Sequence, residues 1–404
     1  MKRIAKGEIT ELALFGGTAL FEEPLHVGRP NIGNRKKLSE RIEDLLDRRW
    51  LSNHGPLVGE LEARIAERLG VRHCIAICNG TVALEIAIRA LDLTGEVLVP
   101  SFTFIATAHA LAWQQIRPVF CDADRRTHRL DPEDVRRRIT AKTTGIIGVH
   151  TWGEPCAIRE LETIAQDHGL RLMFDASHAF GCASGGRMIG GFGDAEVFSF
   201  HATKFFQTFE GGAVTTNNDE LASRIRLMKN FGFTGYDQVS HLGTNGKMSE
   251  VSAAMGLTNL ESIDEFIGAN RRNYLHYCEL LRDIAGIKVF PIHPSEARNY
   301  QYVVVEVEES AAGISRDALV ELLHAENVLA RRYFHPGCHR MEPYASDPAN
   351  HGIELPGTTE LCRRVMVLPT GTAVGRDEIE SVCGLVRFAV ENSGAIREAS
   401  VSAG

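Results

Sequence analysis

Lys204 closes the hexapeptide Ser199-Phe200-His201-Ala202-Thr203-Lys204, and a Glu210-Gly211-Gly212 turn follows it. A lysine just past a buried strand and before a glycine turn is placed to form a Schiff base with a carbonyl cofactor. That chemistry requires a partly desolvated ammonium with a depressed pKa. The alternative is a solvated surface lysine, so the reactive reading needs partners elsewhere in the chain. Asp175 ends the apolar run Leu170-Arg171-Leu172-Met173-Phe174. The carboxyl ends of parallel strands face the ligand crevice, and a carboxylate there can hold the N–H of a pyridinium ring, keeping that ring an electron sink. Asp175 can equally cap the turn that follows. His178 can lie against such a ring or its phenolic oxygen, or it can be a packed, neutral histidine.

A phosphate seat is legible upstream. Asn79-Gly80-Thr81 opens an apolar helix beginning at Val82. Asn79 suits an N-cap, and free amides at Gly80 and Thr81, with the Thr81 hydroxyl, can hold an anion at the helix N-terminus. Capping alone also accounts for these residues. Ser199 can add a hydroxyl to the same anion. Phe104, in Pro100-Ser101-Phe102-Thr103-Phe104, follows a strand end and can stack on a flat ring or serve as a core aromatic.

The elements that must position these residues alternate from about residue 60 to about residue 230. Helical spacing runs over Glu60 to Leu69, Val82 to Leu91, Thr107 to Trp113, Pro132 to Ile139 and Ile158 to His168. Apolar runs of strand length lie at His73 to Cys78, Glu96 to Val99, Pro118 to Asp122, Gly145 to His150, Leu170 to Asp175 and Glu196 to Phe200. This alternation predicts an α/β domain with a mostly parallel sheet covered on both faces. Beyond about residue 265 the texture becomes α+β. Helices are expected at Asn270 to Ala285, Arg316 to Glu326 and Arg376 to Glu391, and strands at Gln301 to Glu306 and Val365 to Leu368. The boundary is placed near residue 260: a large domain over 1–260 and a small one over 261–392. The N-terminal segment is expected to pack on the small domain, and the polar tail 393–404 to lack order.

The chain has 404 residues, 44% hydrophobic and 24% charged, as in an ordinary soluble globular protein of two domains. A net charge of −8 argues against a nucleic-acid surface or a patch for anionic membranes. No stretch has the length and apolarity of a transmembrane helix, and Glu8 and Glu11 interrupt any signal-peptide core. Nine scattered cysteines read as reduced core residues of a cytoplasmic protein. His335, Cys338 and His339 cluster without a second ligand group, so no metal is expected.

The order of these features, phosphate loop, aromatic, acid, lysine, resembles the DegT/DnrJ/StrS sugar aminotransferases, a group of fold-type-I pyridoxal-phosphate enzymes. The resemblance extends over nearly the whole chain. It includes Trp50-Leu51-Ser52-Asn53-His54-Gly55-Pro56, Asn79-Gly80-Thr81, Pro100-Ser101-Phe102-Thr103-Phe104 and Asp175-Ala176-Ser177-His178-Ala179. It continues through the Lys204 segment, Gly243-Thr244-Asn245-Gly246-Lys247-Met248-Ser249-Glu250 and Leu368-Pro369. It implies a large domain with a mostly parallel seven-stranded sheet and a smaller α+β C-terminal domain. It further implies that Lys204 binds pyridoxal 5′-phosphate covalently and that Asp175 pairs with the ring nitrogen. His178 then contacts the ring, Phe104 stacks on it, and Gly80, Thr81 and Ser199 bind the phosphate. Asn245 is expected to reach the phosphate of a neighbouring subunit, making a homodimer with shared active sites; a loop residue ahead of a helix capped near Ser249 is the plainer alternative.

Departures from the family pattern bear on the substrate. Phe209 precedes Glu210, Asn230-Phe231-Gly232 stands where many members have Asn-His-Gly, and Lys247 stands where they have Arg. These segments resemble the 4-aminotransferases of desosamine-type sugar pathways. The resemblance implies transfer of an amino group from L-glutamate, by way of the pyridoxamine form, to dTDP-4-keto-6-deoxy-D-glucose, with no nucleic-acid or membrane partner. Lys229, Arg331 and Arg332 are the candidate cations for the nucleotide diphosphate. Alternatives are a 3-aminotransferase on a related dTDP-3-ketosugar and a non-catalytic sensor or scaffold of the same fold. A sugar 3-dehydrase typically carries histidine in place of the lysine, so Lys204 speaks against that branch.

Overall fold

The computed structural model describes residues 6–293 and 295–403, with side chains through Ala399. Seven strands form the central sheet: β1 (His73–Ile77), β2 (Glu96–Pro100), β3 (Arg117–Cys121), β4 (Thr143–Val149), β5 (Arg171–Asp175), β6 (Ala195–Ser199) and β7 (Gly212–Thr216). Their spatial order is β1-β7-β6-β5-β4-β2-β3. Six run in one direction, and β7 is antiparallel to both of its neighbours. β2 and β7 are buried at every position, as expected of strands covered on both faces.

The side-chain alternation of the strands divides the core in two. Leu98, Ile146, Leu172 and Phe198 pack with Leu57, Leu61, Ile158 and Leu161, from helices Pro56–Leu69 and Ile158–His168. Val97, Val99, Met173 and Val197 pack on the other face with Leu84, Ile88, Leu111 and Ile225, from helices Gly80–Ala90, Ala106–Ala112 and Asp219–Met228.

A separate core surrounds an antiparallel sheet of β8 (Ile287–Val289), β9 (Val303–Val307) and β10 (Val365–Leu368). Helices Ile263–Leu281, Arg316–Ala325 and Arg376–Glu391 cover it. Leu12, Leu20 and Leu25 from the chain's start belong to this core. The Glu326 carboxylate fastens that segment, accepting from the amides of Ala13 and Leu20 at 2.7 and 2.6 Å.

The structure corrects the expectation for the tail. Residues Ser393–Ala403 form a helix, and Ile396 is buried in the small core. Ile396 packs into the small core and Arg397 donates to the Gly313 carbonyl at 2.6 Å, which together seat the helix, and composition gives little sign of it. A further cluster joins the two cores: Phe102, Trp152, Phe290, Tyr302 and Phe334 pack together beside the carboxyl ends of the large sheet.

Candidate active site

Five parallel strands deliver residues to one cavity of about 640 Å³. The chain leaving β1 supplies Asn79, Gly80 and Thr81; that leaving β2 supplies Thr103 and Phe104; β4 ends there at Val149. β5 contributes Asp175 with Ser177 and His178 beyond it, and β6 contributes Ser199 with His201, Thr203 and Lys204. Every residue predicted for the cofactor lines this cavity except Asn245.

The anion seat is built by helix Gly80–Ala90. Asn79 caps it, its side chain accepting from the Val82 amide at 2.8 Å. The amides of Gly80 and Thr81 are left to face the cavity. A Cβ on Gly80 would approach the Ser199 Cβ to 2.9 Å, so glycine is what lets the two segments close on one anion. Gly212 serves the same end from β7, where a Cβ would meet the Asn79 carbonyl carbon at 2.8 Å.

Asp175 is buried and oriented by two donors. The Thr107 hydroxyl donates to Oδ2 at 2.8 Å and the Ser177 amide donates to Oδ1 at 3.0 Å. Lys204 has no hydrogen-bond partner for its ammonium among the described residues. Burial pushes its pKa down to about 8, against the opposing pull of Asp175. His178 is buried, and burial, with the Lys204 charge second, holds it well below the ordinary histidine range, so it is neutral. Phe104 projects into the cavity and is 55% exposed, an aromatic face without a ring partner among the described residues.

The cations expected for the diphosphate separate. Arg331 lines the cavity. Arg332 lies in the adjoining cleft, ion-paired to Asp317 at 3.0 Å. Lys229 is a correction: it is 1% exposed, ion-paired to Glu62 at 2.9 Å, and donates to the Ala76 carbonyl at 3.1 Å. Its charge is consumed inside the protein and does not reach this cavity. Asn245 stands exposed in a loop bridged to Asn230, ahead of the helix that Ser249 caps. Phe209 and Phe231 also lie outside the cavity, and the Lys247 ammonium sits 4.6 Å above the Phe231 ring.

The sequence reading missed Tyr302, Tyr333 and Phe334, which close the cavity from the small core's side. It also missed Thr107, which orients Asp175. A threonine opening a helix that directly follows a strand end was the only local signal for Thr107. The aromatics are remote in sequence, and nothing in their own segments marks them.

With this geometry in view, the chain can be set beside known proteins. It is 35% identical over 367 residues to a dTDP-4-amino-4,6-dideoxy-D-glucose transaminase of Shigella dysenteriae, covering 91% of this chain and 99% of that one. The enzyme of the same name in Escherichia coli is 32% identical over 368 residues, covering 90% and 98%. The crystal structure of DesI in the presence of its TDP-sugar product superposes with a TM-score of 0.93 at 49% identity, covering 98% of this chain and all of that one. The DegT/DnrJ/EryC1/StrS aminotransferase family matches residues 33–387, so this chain belongs to that family and is an aminotransferase.

Proposed function

We propose that the protein transfers an amino group from L-glutamate to dTDP-4-keto-6-deoxy-D-glucose, giving dTDP-4-amino-4,6-dideoxy-D-glucose, with pyridoxal 5′-phosphate as cofactor. The observation that carries this reading is the Lys204 ammonium, unpartnered and lowered to about 8, in one cavity with the buried Asp175 carboxylate. The chamber suits such a cofactor at each end. The Gly80 and Thr81 amides and the Ser199 hydroxyl offer donors to a phosphate, Asp175 offers an acceptor to a ring N–H, and Phe104 offers a face to a ring.

When bound, the cofactor supplies a carbonyl that accepts the amino group and a ring that takes up negative charge. Lys204 would hold the cofactor through Nζ, and the free Nζ would carry protons at the reacting carbon. With a pKa of about 8, Nζ is near the point where taking and giving a proton are both easy at neutral pH. Asp175, fixed by Thr107 and Ser177, would accept a hydrogen bond from the ring N–H. Tyr302, Tyr333 and Phe334 exclude water from that side of the chamber. Arg331 at the mouth is the cation placed for the nucleotide diphosphate. Asn245, exposed and away from its own cavity, is assigned to the phosphate of a second subunit.

Incubation with glutamate and a panel of dTDP-ketosugars, with the product identified by NMR, tests the proposal. The expected product carries nitrogen at C4 of the dideoxyglucose. An amino group at C3, or no amination of any sugar by the holoenzyme, overturns it.

A further inference from the structure

Trp152 has a backbone conformation that a bulky residue seldom adopts, with φ at 65°. It lies just beyond the end of β4, after His150 and Thr151, and two donors leave it in different directions. Its indole Nε1–H donates to Nδ1 of His128 at 3.1 Å, and its backbone N–H points at Nδ1 of His178 at 3.4 Å. The Trp152 and His178 rings lie nearly parallel, and Phe334 stacks on Trp152 with centroids 5.0 Å apart. His128 is buried, its ring 4.3 Å from that of Phe290, and its Nε2 faces the Glu306 carboxylate at 3.4 Å. Glu306 lies on β9 and is paired with Arg364 at 2.9 Å.

The chemistry of these groups fixes the protons. An indole N–H and a backbone N–H can only donate. Nδ1 of His128 must therefore be bare, and its proton sits on Nε2 toward Glu306. Nδ1 of His178 must be bare as well, and its proton sits on Nε2. No protein acceptor meets that Nε2 among the described residues, and His178 lines the cavity. We propose that His128, its Nε2 3.4 Å from the Glu306 carboxylate, is a positioning residue that locks Trp152 and so sets His178 as a fixed Nε2–H donor facing the reaction chamber. The pair crosses between the two cores, so the small sheet sets the tautomer of a residue on the large one. The assignment extends the proposed function only in its last step, because the tautomer exists whatever the sugar is.

The test is ¹⁵N NMR of the full chain labelled at histidine, with and without added pyridoxal 5′-phosphate, the His178 signals being identified by their loss in His178→Asn. The expected wild-type spectrum shows His178 with one bare and one protonated nitrogen, the proton on Nε2, unchanged across neutral pH. His128→Phe keeps the ring shape but removes the acceptor, and is expected to give mixed His178 tautomers. His128→Asn returns an acceptor near the Nδ1 position and is expected to restore the single tautomer. A wild-type His178 protonated on Nδ1, or a folded His128→Phe protein with the His178 pattern unchanged, overturns the proposal. The wild-type measurement decides even where the variant fails to fold, and a failed sugar assay would leave it standing.

Discussion

Two lysines of this chain, Lys204 and Lys229, share a physical circumstance and differ in consequence. Burial lowers the pKa of both, and each has a carboxylate nearby, Asp175 for one and Glu62 for the other. Lys229 meets its carboxylate at 2.9 Å and a backbone carbonyl at 3.1 Å, so its protons are occupied and its role is to hold helix Asp219–Met228 to the edge of the sheet. Lys204 meets neither kind of partner and opens on a cavity. Desolvation alone therefore does not make a lysine reactive. Desolvation with the proton left free to move does.

The comparison breaks first at Lys204. Lys204→Ala is expected to abolish transamination while the protein stays folded, measured as product formation beside a circular dichroism spectrum; residual turnover near the wild-type level would remove the lysine from the mechanism. Asp175→Asn keeps the shape but loses the anion, and kcat is expected to fall roughly a hundredfold or more with KM for the sugar little changed, the pattern of a lost proton-holding group. Glu62→Ala should show the opposite profile. Leaving Lys229 buried and unpaired costs about 3–5 kcal/mol, visible in a urea melt, while the holoenzyme that remains folded keeps its kcat.

Gly80→Ala sharpens the phosphate end. The added methyl meets Ser199 and pushes apart the two segments that seat the anion, so the cofactor dissociation constant should rise, together with an overpacking loss of about 1–3 kcal/mol in stability. The last effect is on pH dependence. The folded pKa of Lys204, about 8, lies below its ordinary 10.5, so the unfolded chain binds more protons between those values. Stability of the cofactor-free protein is therefore lowest below pH 8 and rises as pH climbs from about 8 toward 10.5. Urea melts across that range should show a shallower rise in Lys204→Met than in wild type.

How much of this could be read from residues alone follows the same division. Lys204, Asp175, His178, Gly80, Thr81 and Ser199 sit at the ends of short apolar runs, and strand alternation puts all of those ends on one edge. Their convergence is a property of parallel topology, which local pattern carries. Lys229 was misassigned because its partner, Glu62, lies on a different helix, and no local signal separates a paired cation from a free one. The antiparallel β7 was missed because Gly212-Ala213-Val214-Thr215-Thr216 is short and follows a glycine turn. Helix Arg35–Arg48, with Leu45 alone buried, was missed because it shows little apolar face. Tyr302, Tyr333 and Phe334 reach the chamber only once the second core is docked, a long-range event invisible in their own segments.

Reduction with borohydride in the presence of pyridoxal 5′-phosphate, followed by peptide mapping, tests the central claim most directly. The account predicts one pyridoxyl group per chain, on Lys204, with Lys229 unmodified. A label on Lys229 or scattered over surface lysines, with Lys204 unmodified, would contradict it.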